Sequence, residues 1–192
     1  MALLTGFNKI NTAIFISGTG SNLKSLIKFS KLKKSPITIG MIISNNPKSK
    51  GLKYAKINKI KKKVFNFNST ISEKKVINEL KKDNINLICL AGFMKILSKE
   101  FIKNFNGKIL NIHPSLLPKY KGLNTHVKAI KNKDKYSGCT VHLVNSKLDS
   151  GKIIDQKKVR INKLDTPETL AKKILVQEHK LYPEAIIKLL NL

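Results

Sequence analysis

Asn111 and His113 are the residues of this chain whose types and spacing best suit chemistry. They follow the apolar run Lys108-Ile109-Leu110, which is typical of a buried strand. Side chains two residues apart on a strand point to the same side. Pro114 favours an extended conformation for His113 and keeps it out of a helix. The pattern predicts an amide and an imidazole on one side of a strand end, held by a stiff turn.

Asp149 is the candidate third member, although an Asp before Ser-Gly is by itself more often a turn residue. An amine attacking an acyl carbon creates an oxyanion that N–H groups of Asn111 and His113 could stabilise. Asp149 would hold the imidazole, favour its charged form and take the proton of the amine. No Ser or Cys lies in a recognisable nucleophile elbow, so we expect direct transfer without a covalent intermediate.

The remaining histidines and the cysteines are weaker candidates. We expect His142 to face the same cleft or a helix, and His126 to pack at the start of a short helix. Neither has a partner at metal-ligand spacing, so no metal site is predicted. Cys89 and Cys139 lie in apolar runs and are expected to be buried thiols of a reducing compartment, not a disulfide.

The loop Gly18-Thr19-Gly20-Ser21-Asn22-Leu23 opens a helix after the first strand. Its glycines allow a close backbone approach, and a helix N-terminus offers unpaired N–H groups to an anion. Leu23 stands where a dinucleotide fingerprint has glycine, so a single phosphate suits the loop better than NAD. A tight turn with Ser21 or Asn22 as N-cap is equally compatible.

Apolar runs and helical segments alternate along the chain. Strands are predicted at residues 12–17, 36–44, 64–67, 86–91, 108–112, 139–144 and 153–161. Helices are predicted from the glycine loop to about 31, over 49–59, 72–83, 98–105 and 125–132, and from Thr166-Pro167 towards Leu190 with a kink at Pro183. The alternation predicts one α/β domain over 1–192, Rossmann-like, with a mostly parallel twisted sheet and helices on both faces. The candidate sites all fall at carboxyl ends of strands, where such sheets bind ligands.

The net charge of +27 invites a nucleic-acid partner, but the composition argues against a specific one. Only Arg160 is Arg among 38 basic residues, whereas nucleic-acid interfaces depend on Arg. Lys, Ile and Asn are all abundant and share AT-rich codons, so base composition explains the charge. No apolar run is long enough to span a membrane, and residues 1–9 do not resemble a signal peptide, so we expect a cytoplasmic protein.

Five segments, in order along the chain, resemble the phosphoribosylglycinamide formyltransferase family of folate-dependent enzymes in purine biosynthesis. They are residues 16–23, 90–98, 111–126, 138–142 and 148–151, of which Asn-Ile-His-Pro-Ser-Leu-Leu-Pro is the most specific. The resemblance implies transfer of the formyl group of 10-formyltetrahydrofolate to the amine of glycinamide ribonucleotide. It implies small-molecule partners and a monomer or homodimer.

The resemblance also assigns roles to residues. It makes Asn111, His113 and Asp149 catalytic and gives Glu178 the ribose hydroxyls of the substrate. The nucleotide phosphate would be bound by Gly20, Ser21 and Asn22. The folate would be bound by Met94, Lys95, Ile96, Leu97, Asn111, Asn145, Ser146, Lys147, Leu148 and Asp149. From the residues alone, 93–97 would be core packing and Glu178, on an apolar helix stripe, would pair with a Lys.

Two departures and three rival functions remain. Asn124 replaces a His found in bacterial members, and Ser72 and Glu73 stand where members often carry an Arg for the folate carboxylates. Methionyl-tRNA formyltransferase would need a C-terminal domain, and formyltetrahydrofolate deformylase, a hydrolase, an N-terminal regulatory domain. A Lys-rich nucleic-acid-binding protein is the rival from another class, and it predicts steeply salt-dependent binding.

Overall fold

The computed structural model describes residues 9–190, so most of the segment considered for a signal peptide, residues 1–8, lies outside the described residues. The strands are β1 (Ile10–Ile16), β2 (Ile37–Ser44), β3 (Lys61–Val64), β4 (Leu87–Leu90), β5 (Lys108–His113), β6 (Tyr136–Leu143) and β7 (Ile153–Arg160). The helices are α1 (Ser21–Ser30), α2 (Leu52–Ile57), α3 (Thr70–Lys82), α4 (Lys99–Asn104), α5 (Thr125–Lys131) and α6 (Pro167–Leu189).

Within the described residues, seven strands form one sheet in the order β3-β2-β1-β4-β5-β6-β7. Strands β1 to β5 pair in parallel, whereas β6 and β7 are antiparallel to their neighbours. The predicted α/β class with a mostly parallel sheet is confirmed. The chain winds outward from β1 to β3 and then returns to place β4 beside β1. This reversal creates a switch point, and ligands bind at the carboxyl ends of the strands beside such a point.

Both faces of the sheet are covered by helices. On β1, Ile14 and Ile16 join a core with residues of α1, α2, α5 and α6, whereas Ala13 and Phe15 join a second core with residues of α3 and α4. Consecutive β1 residues therefore face opposite layers, as strand geometry requires. Burial on both faces explains why the central strands are almost wholly apolar.

The third strand was predicted at the wrong residues. β3 begins at Lys61 and ends at Val64, and its residues are all exposed. The apolar signal came from the segment that follows it, where Phe67 packs against Phe93 with ring centroids 4.9 Å apart. Lysines on β3 suit a sheet edge, because charged side chains discourage pairing with another chain.

The last helix begins as predicted and continues through Pro183. Thr166 Oγ1 accepts from the backbone N–H of Thr169, whose side chain accepts from the N–H of Thr166, and Pro167 opens the helix. Pro183 has no N–H to donate to the carbonyl of His179. Ser25 Oγ on α1 donates to that carbonyl instead, at 2.9 Å, so the predicted kink does not break the helix. No helix within residues 9–190 has the length and apolarity needed to cross a membrane.

Candidate active site

A cavity of about 980 Å³ lies beyond the carboxyl ends of β4 and β5 and is bordered by α5, α6 and the loop after β6. Every residue predicted to be catalytic lines it. The strand order explains this position. The chain leaves β1 towards β2 on one side and leaves β4 towards β5 on the other, so a crevice opens between the two connections.

The sheet register brings Asn111 and His142 together. These two residues are direct partners across the antiparallel β5–β6 pair, so their side chains share one side of the sheet. Asn111 Nδ2 lies 3.2 Å from His142 Nε2 and 3.4 Å from Asp149 Oδ1. The turn between β6 and β7 carries Asp149, with φ of 45°, into the cavity. The structure thus unites Asn111, His113 and Asp149, as the sequence predicts.

The two ring nitrogens of His113 face different partners. Nε2 lies 2.8 Å from the carbonyl oxygen of Tyr120, which can only accept, so Nε2 carries a proton. Nδ1 lies 3.4 Å from Asp149 Oδ2. The Nε2–H of His113 is therefore directed at Tyr120, not at an oxyanion as the sequence analysis expected. Asp149 Oδ2 also accepts from the backbone N–H of Gly122 at 2.8 Å.

Burial and the carboxylate of Asp149 have opposite effects on the protonation of His113. Burial lowers the pKa of His113, and the hydrogen bond to Tyr120 and the charge of Asp149 only partly oppose that effect. Asp149 favours the charged form of the imidazole, as expected, but burial outweighs that effect. Burial raises the pKa of Asp149, but contacts with His142, Gly122 and His113 outweigh burial and leave it below its ordinary value. The pair near neutral pH is a carboxylate beside a neutral imidazole.

His142 faces the cavity, the first of the two positions that the sequence left open, and it is more central to the site than the sequence indicated. Its Nδ1 lies 2.8 Å from the carbonyl of Leu143, and its Nε2 lies 3.5 Å from Asp149 Oδ1. It is 2% exposed and contacts two of the three predicted catalytic residues. An antiparallel β5–β6 pairing would have revealed this position, but the sequence offered no sign of strand direction. His126 lies at the start of α5, as expected.

The glycine loop leaves the start of α1 open. Gly20 has φ of 78° and is the N-cap, and no side chain in the described part of the chain caps α1. The alternative in which Ser21 or Asn22 is the N-cap is wrong. A Cβ at Gly20 would lie 2.8 Å from the Cα of Gly51, so this position also requires glycine for space.

Asn22 turns inward towards Glu178. Its Nδ2 donates to Glu178 Oε2 at 2.6 Å, and both side chains are buried beside the cavity. Burial raises the pKa of Glu178 more than the bond from Asn22 lowers it. The partner of Glu178 is thus an amide on α1, not the Lys that the residues alone suggested. Asn22 Oδ1 is buried and has no hydrogen-bond partner among the described residues.

The segment after β4 divides its side chains between the core and the cavity. Phe93 and Leu97 are buried, whereas Met94 is 64% and Ile96 is 72% exposed. All four predicted wall residues, Met94 to Leu97, line the cavity, and so do Asn145 to Asp149. Exposed apolar side chains gathered at a cavity mark a binding surface. The core-packing alternative therefore holds only for Phe93 and Leu97.

Glu73, near the position of the missing Arg, does not line the cavity. It is buried and accepts hydrogen bonds from the backbone N–H of Ser98, at 3.0 Å, and from Ser98 Oγ. Glu73 thereby joins α3 to the start of α4. Lys95 is the cation of the wall segment, and its Nζ donates to Asn68 Oδ1 at 2.9 Å.

We compared the chain with known protein families. The family model described as formyl transferase matches residues 10–186.

The chain belongs to the formyl transferase family.

Relatives in this formyl transferase family carry a more specific name. Phosphoribosylglycinamide formyltransferase of Haemophilus influenzae is 43% identical over 178 residues, covering 91% of this chain and 84% of that protein. The Escherichia coli protein of the same name is 37% identical and covers 92% and 85%. Trifunctional purine biosynthetic protein adenosine-3 of Homo sapiens is 41% identical over 182 residues, but this chain spans only 18% of its length.

Solved structures agree with the sequence relatives. Phosphoribosylglycinamide formyltransferase from Anaplasma phagocytophilum superposes with a TM-score of 0.88 at 40% identity, covering 93% of this chain and 85% of that one. Glycinamide ribonucleotide transformylase 1 from Symbiobacterium toebii gives 0.90 at 33% identity, covering 97% and 90%. The family resemblance predicted from the motifs is confirmed.

Proposed function

We propose that this chain, as a single formyltransferase domain over 1–192, transfers a formyl group from 10-formyltetrahydrofolate to the amine of glycinamide ribonucleotide. The observation that carries the proposal is the convergence of Asn111, His113 and Asp149 on one large cavity. The names of the relatives support the choice of substrates. We further propose small-molecule partners without a specific nucleic acid, a monomer or homodimer, and a cytoplasmic location.

Asn111 is suited to stabilise negative charge on the formyl oxygen. Its Nδ2 contacts, at 3.2 and 3.4 Å, are long enough to leave an N–H available to a stronger acceptor in the cavity. An amide donor held in place before the reaction stabilises an oxyanion without a reorganisation cost. His142 holds this amide from the neighbouring strand.

His113 and Asp149 together form the base. Because Nε2–H of His113 is bonded to Tyr120, Nδ1 is the nitrogen that can take up a proton, and it faces the carboxylate. A neutral imidazole beside a carboxylate accepts the proton that the attacking amine loses. The charge of Asp149 then stabilises the imidazolium that results.

The open start of α1 and the Asn22–Glu178 pair suit the nucleotide. Uncapped N–H groups at a helix N-terminus bind a phosphate, and Gly20 lets it approach closely. Glu178 lines the cavity as an acceptor for ribose hydroxyls, held by the bond from Asn22.

The residues of the wall fit a folate. The cavity combines room for a large ligand with the exposed apolar side chains of Met94 and Ile96, which suit a flat aromatic ring. Residues 145–149 form the opposite wall. Lys95 is the cation closest in sequence to this apolar surface and suits the folate carboxylates. 10-Formyltetrahydrofolate supplies the formyl group that is transferred.

Release of tetrahydrofolate with and without glycinamide ribonucleotide tests the proposal. We expect release that requires the amine, and a loss of at least about a hundredfold in kcat for Asp149→Asn or His113→Ala. Asp155→Asn is the matched control, because Asp155 lies on β7 outside the cavity lining. Release without the amine would instead identify a hydrolase, and variants with normal rates would refute the catalytic assignment.

A further inference from the structure

Tyr120 has a backbone conformation that bulky residues rarely adopt. Its φ is 55°, in the left-handed region. This conformation directs its carbonyl oxygen at His113 Nε2, 2.8 Å away. Ser115 Oγ, which donates to the carbonyl of Lys119 at 2.6 Å, supports the same turn. Uncommon backbone conformations persist only where the surroundings hold them, and they concentrate at functional sites.

Tyr120 is held by hydrogen bonds to its phenol hydroxyl. The hydroxyl donates to Asp134 Oδ2 at 2.8 Å and accepts from Asn132 Nδ2 at 2.9 Å. Asp134 is itself held, because its backbone N–H bonds to the carbonyl of Ala129 at 3.1 Å and its Oδ1 pairs with Lys119 Nζ at 3.1 Å. The ring is partly buried and packs against the core that contains residues of α1, α2, α5 and α6. Tyr120 is therefore fixed at both ends, by β5 at its carbonyl and by the turn after α5 at its phenol.

We propose that Tyr120 is a positioning residue, and that Asp134 and Asn132 act through its phenol to keep its carbonyl on His113. The carbonyl accepts only from a protonated Nε2, so it selects the tautomer in which Nδ1 faces Asp149. If the carbonyl moved away, the proton could shift to Nδ1 and bond to the carboxylate, and the free base towards Asp149 would be lost. This inference rests on the proposed function for its kinetic consequence, but not for the tautomer itself.

The bond from Tyr120 also affects when His113 titrates. The carbonyl raises the pKa of His113 against the larger effect of burial, so weakening it lowers the pKa further. The other charged or titratable groups that act on His113 are Asp149, which raises its pKa, and His142 and Lys128, which lower it; His126 is close enough to be affected by His113. None of these is altered by removing the phenol hydroxyl.

Tyr120→Phe removes both hydrogen bonds of the hydroxyl and keeps the ring. Asp134→Asn keeps the shape of the residue that accepts from this hydroxyl but removes its charge. We expect kcat to fall about tenfold in Tyr120→Phe with KM for both substrates nearly unchanged, because the base is misplaced and binding is intact. The acid limb of the kcat profile should move to lower pH. Tyr136→Phe is the matched control, since Tyr136 is 42% exposed on β6 and outside the cavity lining.

Nitrogen-15 NMR of labelled histidine tests the tautomer without any turnover. In the unaltered protein the His113 signals should show a protonated Nε2 and a bare Nδ1 at pH 8. Tyr120→Phe and Asp134→Asn should both lower the fraction of His113 that is protonated at Nε2 and bare at Nδ1, whereas Tyr136→Phe should leave that fraction unchanged. Unchanged tautomer signals and an unchanged pH profile in both variants would overturn the inference. If Tyr120→Phe does not fold, Asp134→Asn alone decides the outcome. A protein without formyl transfer that still shows this pattern would refute the proposed function but not the role of Tyr120.

Discussion

The proposed chemistry depends on single contacts of the imidazole and the carboxylate in the cavity. His113 is buried with a lowered pKa, and Asp149 also has a lowered pKa. Both shifts favour a carboxylate beside a neutral imidazole near neutral pH. Because the two groups lie 3.4 Å apart, their titration belongs to the pair and not to either residue alone.

The acid limb of the pH profile follows from this pair. We expect kcat at saturating substrates to fall on acidification, with an enzyme group whose apparent pKa lies below the ordinary histidine value of 6.5. The substrate amine, with an ordinary pKa of about 8, adds a separate limb to kcat/KM. The sign follows because the base must be free, and a lowered pKa keeps it free to lower pH. Rates measured between about pH 5 and 8 check this. An enzyme limb centred above 6.5, distinct from that of the substrate amine, would contradict the neutral assignment of His113.

The Asn22–Glu178 pair predicts a selective loss of nucleotide binding. Asn22→Ala leaves a buried carboxylate without its donor, so Glu178 loses its orientation. We expect KM for glycinamide ribonucleotide to rise about tenfold with KM for the folate unchanged, which corresponds to roughly one lost hydrogen bond to a charged group. Steady-state kinetics against each substrate measure this. Asn106→Ala, at an exposed position before β5, is the control, and equal changes in both KM values would argue against the pairing.

Elements position these residues through their ends and crossings. The antiparallel pairing of β5 with β6 sets Asn111 opposite His142, and the turn between β6 and β7 carries Asp149 into the cavity. At the other side of the cavity, α6 brings Glu178 against α1. The α1–α6 contact is therefore structural support for the nucleotide site, and Ser25 is part of it.

A double-mutant cycle tests the contact between Ser25 and Pro183. Ser25→Ala should lower the free energy of unfolding by about 1 kcal/mol, because the carbonyl of His179 loses its donor. In a Pro183→Ala background the helix regains an N–H for that carbonyl, so Ser25→Ala should cost almost nothing. Urea denaturation of the four proteins measures the coupling. Equal costs in both backgrounds would show that Ser25 does not substitute for the missing helical donor.

The whole molecule carries a net charge of +27, whereas both proposed substrates are anions. Surface ion pairs such as Lys61–Asp83, at 2.8 Å, neutralise only a few of the lysines. A strongly positive protein draws anions towards it, and salt screens that attraction. High net charge thus supports capture of a phosphate and of folate carboxylates from a distance, in addition to the contact proposed for Lys95.

Salt should therefore slow capture but not chemistry. Raising KCl from about 20 to 500 mM should lower kcat/KM for both substrates several-fold, because the Debye length shortens from roughly 20 to 4 Å. The value of kcat at saturation should change little, since the buried pair is poorly screened. Kinetics in sucrose at matched osmolarity provide the control. A flat dependence of kcat/KM on salt would show that the charge does not assist binding.

The sequence by itself determined the order of the elements, because apolar periodicity and turn residues are local. It placed Asn111 and His113 on one side of a strand end, and it identified the Thr166 helix start, since both follow from neighbouring residues. It misplaced β3, because the apolar residues of 65–67 pack into the core beyond the strand. An edge strand rich in Lys, such as β3, lacks the apolar residues from which a strand is predicted.

Only the tertiary structure decided which distant groups meet. Strand direction put His142 against Asn111, a left-handed Tyr120 put a carbonyl on His113, and the packing of α6 on α1 gave Glu178 an amide partner. Burial also lowers the pKa of His113, because the cost of desolvating an imidazolium exceeds the attraction of Asp149. Desolvation depends on everything packed around a group, so it is a property of the folded molecule and not of the local sequence.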